Sequence, residues 1–156
     1  MGVKFYTQKT LTYHVWSCLL TRAEKICADR RSKERVSLNY VQYWLDEADL
    51  VVVNYGKGSP RIKSFACVKD LSKNIAKVHL ICGGGGGAGS AVMRAIEKRA
   101  REDKKKRIRL DAVEFSETFY RKLGYIQSDQ SCDKKPVIKR KGNPNHGYRY
   151  EKCLDH

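Results

Sequence analysis

Six of the seven residues from Gly83 to Gly89 are glycine, Ala88 being the exception, and the run joins a strand-like segment, KVHLICG, to a helix-like one beginning at Ser90. So many glycines are costly to order in any fold, because glycine loses more backbone freedom than other residues. One physical return is close approach. Bare backbone can lie against a phosphate and present N–H groups at a helix N-terminus, where the helix dipole favours an anion. A flexible low-complexity loop is the alternative, and the strand-to-helix placement argues for anion binding.

The surrounding residues narrow the anion. A Walker A loop ends in Gly-Lys-[Ser/Thr], whereas here Gly89 meets Ser90 with no lysine. The dinucleotide fingerprint G-x-G-x-x-G is satisfied by Gly84, Gly86 and Gly89, with Asp111 following near the expected distance. That pattern is a rival, although five consecutive glycines satisfy several patterns by chance. A dinucleotide fold also needs further βαβ units, and the chain after Val113 offers one short helix and no clear second crossover.

Periodicity supplies the rest of the frame. VKFYTQ (3–8) can open a strand. From Thr12 to Arg31, Val15 or Trp16, Leu19, Leu20, Ala23, Ile26 and Cys27 recur on one helical face. Ser37 can cap a second helix lined by Leu38, Val41, Trp44 and Leu45. LVVVNY (50–55) and RIKSFACVKD (61–70) read as a hairpin around the turn GKGSP, and KVHLICG as a third strand. A helix over 90–104 presents Ala91, Val92, Ala95, Ile96 and Ala100. A strand over 107–113 follows, then a helix over 116–125 that Gly124 terminates. Segments 136–140 and 148–154 are weaker strand candidates, separated by the turn-rich GNPNHG. The order is β α α β β β α β α β β, an α/β (α+β) class whose hairpin and crossover require a mixed central sheet flanked by helices. A length of 156 residues fits one domain, 1–156.

Two segments together resemble the GNAT N-acetyltransferase family. LICGGGGGAGSAVMRAIEKRA is similar to its acetyl-CoA motif, [Q/R]-x-x-G-x-[G/A], with Gly87 and Gly89 in place and Gly84 standing where Gln or Arg is usual. ETFYRKLGYI (117–126) resembles the family helix A-x-x-F-Y-x-x-L-G-[F/Y], with Phe119, Tyr120, Leu123, Gly124 and Tyr125 in register. The resemblance covers about four-fifths of the chain by order and spacing.

The resemblance implies a mixed sheet with a splayed acetyl-CoA cleft. It implies acetyl transfer from acetyl-CoA, as co-substrate, to a primary amine by direct attack, with no covalent enzyme intermediate. Leu80, Ile81 and Cys82 would meet the pantetheine arm. Amides from Gly84, Gly85, Gly86, Gly87, Ala88, Gly89 and Ser90 would hold the pyrophosphate, with Phe119 alongside. Tyr120 would protonate the departing thiolate, a task suited to a phenol that stays protonated at neutral pH; packing beside Phe119 is its structural alternative. His79, Asp111 and Glu114 lie near the ends of the central strands, and none is assigned as the general base.

Charge points to partners without choosing one. Lys and Arg number 32 against 17 Asp and Glu, a net charge of +15 that attracts polyanions, CoA and nucleic acid alike. Clusters run from Lys98 to Arg109 and from Lys134 to Lys141. They read as solvated basic faces or as docking sites for an acidic or nucleoprotein partner, so a non-catalytic basic domain of the same fold is a second reading. Asp46, Glu47 and Asp49 form a compact acidic cluster where the family builds part of its acceptor site, so a small amine, polyamine, protein lysine or N-terminus is open as acceptor. The six cysteines lack any C-x-x-C pair; four sit in apolar surroundings where free Cys behaves as a small hydrophobe, and no metal site is expected. His14 and Cys18 are two ligands short of one. With no apolar run of membrane length and no secretory signal, the expectation is a cytoplasmic chain without a membrane partner.

Overall fold

Eleven elements follow one another in the computed structural model, which describes residues 2–27, 36–58, 60–83, 86–112, 116–127 and 148–154. They are β1 (Val3–Tyr6), α1 (Tyr13–Ile26), α2 (Leu38–Glu47), β2 (Leu50–Asn54), β3 (Ser64–Asp70), β4 (Ile75–Gly83), α3 (Ala88–Glu102), β5 (Arg107–Ala112), α4 (Glu117–Lys122), β6 (Ile126–Gln127) and β7 (Tyr148–Cys153). The strands hydrogen-bond in the order β1-β2-β3-β4-β5-β7-β6. β4 and β5 run parallel, while β1–β2, β2–β3, β5–β7 and β6–β7 are antiparallel, so the sheet is mixed as expected.

The contacts gather into two compact units, one of Met1–Lys69 with His79–Ile96 and one of Asp70–Val78 with Glu97–His156. The first is built on an apolar core. Leu19, Ala23 and Ile26 of α1 and Val41 and Leu45 of α2 pack with Val51, Val53, Phe65 and Leu80 from the strands. Both helices start where a side-chain oxygen can accept an orphan amide. Thr12 Oγ1 accepts from Val15 N at 3.2 Å, and Ser37 Oγ accepts from Asn39 N at 3.2 Å. All five residues from Ser64 to Val68 are buried, so β3 is covered on both faces instead of showing the one-sided pattern of a surface hairpin. The connection from β2 to β3 spans residues 55–63, longer than the five-residue turn expected.

In the second unit β7 lies between β5 and β6, paired from Arg107–Cys153 to Ala112–Tyr148 on one side and through Ile126–Glu151 and Gln127–Tyr150 on the other. The short helix α4 ends as its sequence predicts. Tyr125 N donates to Tyr120 O at 3.0 Å and Gly124 N to Arg121 O at 3.0 Å, with Gly124 at φ +93°. That paired arrangement needs a left-handed residue, which glycine supplies without a Cβ clash.

Two expectations need correcting, and one element is new. The new element is the short strand Ile126–Gln127; the candidate at 136–140 lies outside the described residues. The buried face of α3 is Val92, Met93, Ile96, Glu97 and Ala100, with Ala91 and Ala95 only half-buried, so a carboxylate occupies a position the apolar stripe did not foresee. The cysteines are not all free thiols: Cys27 and Cys82 form a disulfide, because the end of α1 meets the end of β4 with Cα atoms 4.7 Å apart, and Cys153 is disulfide-bonded as well. Cys18, exposed, and Cys67, buried, are free.

Candidate active site

The glycine loop and the end of the strand before it, His79–Gly83, belong to the first unit. β4 alternates regularly, with Ala76, Val78, Leu80 and Cys82 buried and Ile75, Lys77, His79 and Ile81 half-buried, as a strand in a covered sheet should. Its parallel register with β5 runs from Ile75–Arg107 to Val78–Leu110, while β4 continues to Gly83. Leu80, Ile81 and Cys82 therefore fall on the stretch of β4 beyond that register.

Gly86 and Gly87 then turn the chain with φ of +63° and +81°. L-residues with side chains rarely adopt this conformation, so the turn requires glycine here. Gly87 O already accepts from Ala91 N at 3.1 Å, and α3 begins at Ala88. The N–H groups of Ala88, Gly89 and Ser90 thus lie in the first turn, whose amides have no intrahelical acceptor. A buried polar relay fixes this helix start. Asn54 Nδ2 donates to Ser64 Oγ at 3.1 Å, and Ser64 Oγ donates to Ala88 O at 2.7 Å. Ser64 was not among the residues expected at the site; its one signal in sequence is a lone hydroxyl within the apolar strand IKSFACV. Gly84 and Gly85 lie outside the described residues.

His79 is held by α2. Its ring stacks on Trp44 with centroids 3.8 Å apart and planes 13° from parallel, and its carbonyl accepts from Tyr40 Oη at 3.2 Å. Within the acidic cluster, Asp46 Oδ1 accepts from Trp16 Nε1 at 2.9 Å, and the backbone carbonyl of Glu47 accepts from Lys69 Nζ at 3.1 Å.

Phe119 and Tyr120 belong to the second unit. Tyr120 is buried, its ring edge-on to Phe119 at 5.0 Å and to Tyr125 at 6.0 Å. Burial pushes its hydroxyl well above the ordinary phenol range, because removing water disfavours the phenolate. It is therefore a protonated group throughout the physiological range. Asp111 pairs with Lys77 at 2.9 Å, and Glu114 lies outside the described residues.

Members of the first basic cluster pair with carboxylates within their own unit. Arg107 and Arg109 both pair with buried Glu151, at 3.3 and 2.7 Å, Lys105 with Asp70 at 3.2 Å and Arg99 with Asp103 at 3.3 Å. The cluster Lys134 to Lys141 lies outside the described residues. Among the described residues there is no group of three or more His, Cys, Asp or Glu that could hold a metal ion, and no helix is long and apolar enough to cross a membrane.

Known proteins share this fold. Residues 84–138 match the model of the acetyltransferase (GNAT) domain family, while no curated protein matches the sequence. Many solved structures share the fold. Tetrahymena GCN5 superposes with a TM-score of 0.74 at 14% identity, covering 99% of this chain and 97% of that one. The ribosomal-protein-S18-alanine N-acetyltransferase from Escherichia coli gives 0.67 at 11% identity, covering 99% and 95%. An aminoglycoside 6'-N-acetyltransferase complexed with coenzyme A gives 0.66 at 12%, covering 100% and 98%. The chain thus has the GNAT acetyltransferase fold and carries that family's sequence signature over residues 84–138.

Proposed function

We propose that this chain is an N-acetyltransferase that moves the acetyl group of acetyl-CoA onto a primary amine. The observation that carries the reading is the Gly86–Gly87 turn, which delivers the first amides of α3 directly after β4, in a chain whose 84–138 segment matches the family. Amides from Gly86 to Ser90 bind the pyrophosphate, helped by the dipole of a 15-residue helix. The backbone of Leu80, Ile81 and Cys82 takes the pantetheine arm. The tight start of α3, held by Asn54 and Ser64, keeps these donors in place before the ligand arrives.

The acceptor amine attacks the thioester carbonyl in its neutral form. The C–N bond forms, the C–S bond breaks, the amine nitrogen gives up a proton to solvent, and the thiolate takes the Tyr120 proton, which solvent then restores. A phenol raised by burial is a weak acid for a thiolate in water. Removal of water raises a thiol as well, as burial does for the Cys67 thiol, pushed up to about 12. A thiolate leaving into dry surroundings therefore gains basicity toward the Tyr120 proton.

The acceptor is a cationic amine in solution. The segment 37–56 contains no Lys or Arg and carries Asp46, Glu47 and Asp49, an acidic stretch in a chain of charge +15. The pairing of Arg107, Arg109 and Lys105 with carboxylates weighs against a purely nucleic-acid-binding role for the first basic cluster. The antiparallel neighbour of β5 likewise departs from the parallel succession of a dinucleotide fold.

Calorimetric titration with acetyl-CoA, NAD and NADP tests the cofactor, with micromolar binding of acetyl-CoA alone expected. Thiol release across an amine panel then tests turnover, and Tyr120→Phe should lower kcat by about 100-fold. Absence of acetyl-CoA binding would remove the reading.

A further inference from the structure

α4 has six residues, far too few to persist as a helix without tertiary support. β7 provides that support at both ends. At the first residue, Tyr150 Oη donates to Glu117 Oε1 at 2.8 Å. At the C-cap, Lys152 Nζ donates to Leu123 O at 2.7 Å. The same ammonium pairs with the buried carboxylate of Glu97 at 2.5 Å and lies 5.7 Å from the centre of the Tyr125 ring. Arg121 adds a contact from the helix side, its guanidinium 5.8 Å from the Tyr150 ring.

The spacing gives this arrangement its meaning. Tyr150 and Lys152 are two apart on one strand and so project from the same face. Glu151 between them projects from the other and holds Arg107 and Arg109 of β5. Their targets Glu117 and Leu123 lie three residues before and three after Tyr120. The tyrosine is thus at the midpoint of a helix fixed at both termini to one rigid strand.

We infer that Tyr150 and Lys152, the latter oriented by Glu97, are positioning residues that set where the Tyr120 hydroxyl sits relative to the departing thiolate. The inference rests on the acetyltransferase reading and on Tyr120 as its proton donor. Glu97 also has a clear physical role here. A carboxylate in the buried face of α3 costs stability unless paired, and its pairing holds the Lys152 ammonium over the last turn of α4.

The test uses two mild variants of the full chain, each alone and combined with Tyr120→Phe. Tyr150→Phe removes one hydroxyl and keeps the ring. Glu97→Gln/Lys152→Met removes the pair together, so neither charge is left buried and unpaired. Each should lower kcat about tenfold with the KM for acetyl-CoA unchanged, since a displacement on the ångström scale costs that much or more in an oriented proton transfer. Neither should lower kcat further in the Tyr120→Phe background, and Lys152→Arg, which keeps the charge and donors, should recover most of the loss. If the losses multiply in the Tyr120→Phe background, the positioning role is wrong while the proton-donor role stands. If Tyr120→Phe alone leaves kcat intact, the proton-donor reading fails and takes the positioning role with it. Should the double variant unfold, Tyr150→Phe decides alone: wild-type kcat in a folded Tyr150→Phe protein overturns the inference.

Discussion

The two units hold themselves together by different physics. The first relies on Leu, Val, Ile and Phe side chains around α1, α2 and the hairpin strands, with a covalent link between Cys27 and Cys82. The second brings charge inside. Glu151 is 2% exposed and takes two arginines, and Glu97 is 4% exposed and takes Lys152. Apolar contact is non-directional and tolerates small shifts. A buried ion pair is demanding, because its desolvation is offset only when partners and geometry are right. Under the proposed function, the first style suits a scaffold that presents backbone amides to acetyl-CoA. The second suits a helix whose one hydroxyl must be in one place.

The contrast breaks most visibly at Glu151. Glu151→Ala leaves Arg107 and Arg109 without their common carboxylate, and urea unfolding should show a loss of about 3–5 kcal/mol. Hydrogen exchange should report the loosening first in β5 and β7. Replacing both cysteines, Cys27→Ala/Cys82→Ala, should cost about 2–4 kcal/mol, since the link closes a long loop with a sequence separation of 55. Here the faster-exchanging amides should be those of α1 and the end of β4. If both variants loosened both units equally, the two regions would be one cooperative block and the contrast would have no energetic content.

Alkaline titration sharpens the comparison at a smaller scale. Burial raises the hydroxyls of Tyr120, Tyr125 and Tyr150 in the second unit and of Tyr55 in the first. A folded-state pKa above the unfolded value means that the folded chain retains protons the unfolded chain loses. Stability is therefore unaffected below the ordinary phenol value near 10 and falls as pH rises through and beyond it. Tyr120 and Tyr125 should each contribute up to about 1.4 kcal/mol per pH unit to that fall. Tyr120→Phe should flatten the slope, read from urea midpoints between pH 9 and 11. An unchanged slope would mean that Tyr120 is more hydrated than its burial indicates.

The sequence made the first unit far more legible than the second. Leu19, Ala23, Ile26, Val41 and Leu45 sit where helical periodicity puts them, Thr12 precedes α1 and Ser37 caps α2, because apolar stripes and caps are local signals. The glycine loop was legible for the same reason, and so was Gly124. The clamp on α4 was not. Glu117 and Tyr150 are 33 residues apart, and nothing near either announces the other. Glu97 is hidden in a run of charges where an exposed reading is the natural one; only the packing of α3 shows that it faces inward. The disulfide was missed on the same ground, since Cys27 and Cys82 each look like small core hydrophobes until the fold brings their backbones together.

The place of β7 in the chain has a consequence for synthesis. Every element it fixes, β5, α4 and β6, is made before it, and the strand that immobilises Tyr120 emerges after all of them. The glycine turn and the start of α3 can be complete on a growing chain that still lacks this anchor. Under the proposed function, a nascent or truncated chain would hold acetyl-CoA before it could turn it over, and the ability to acetylate would arrive last.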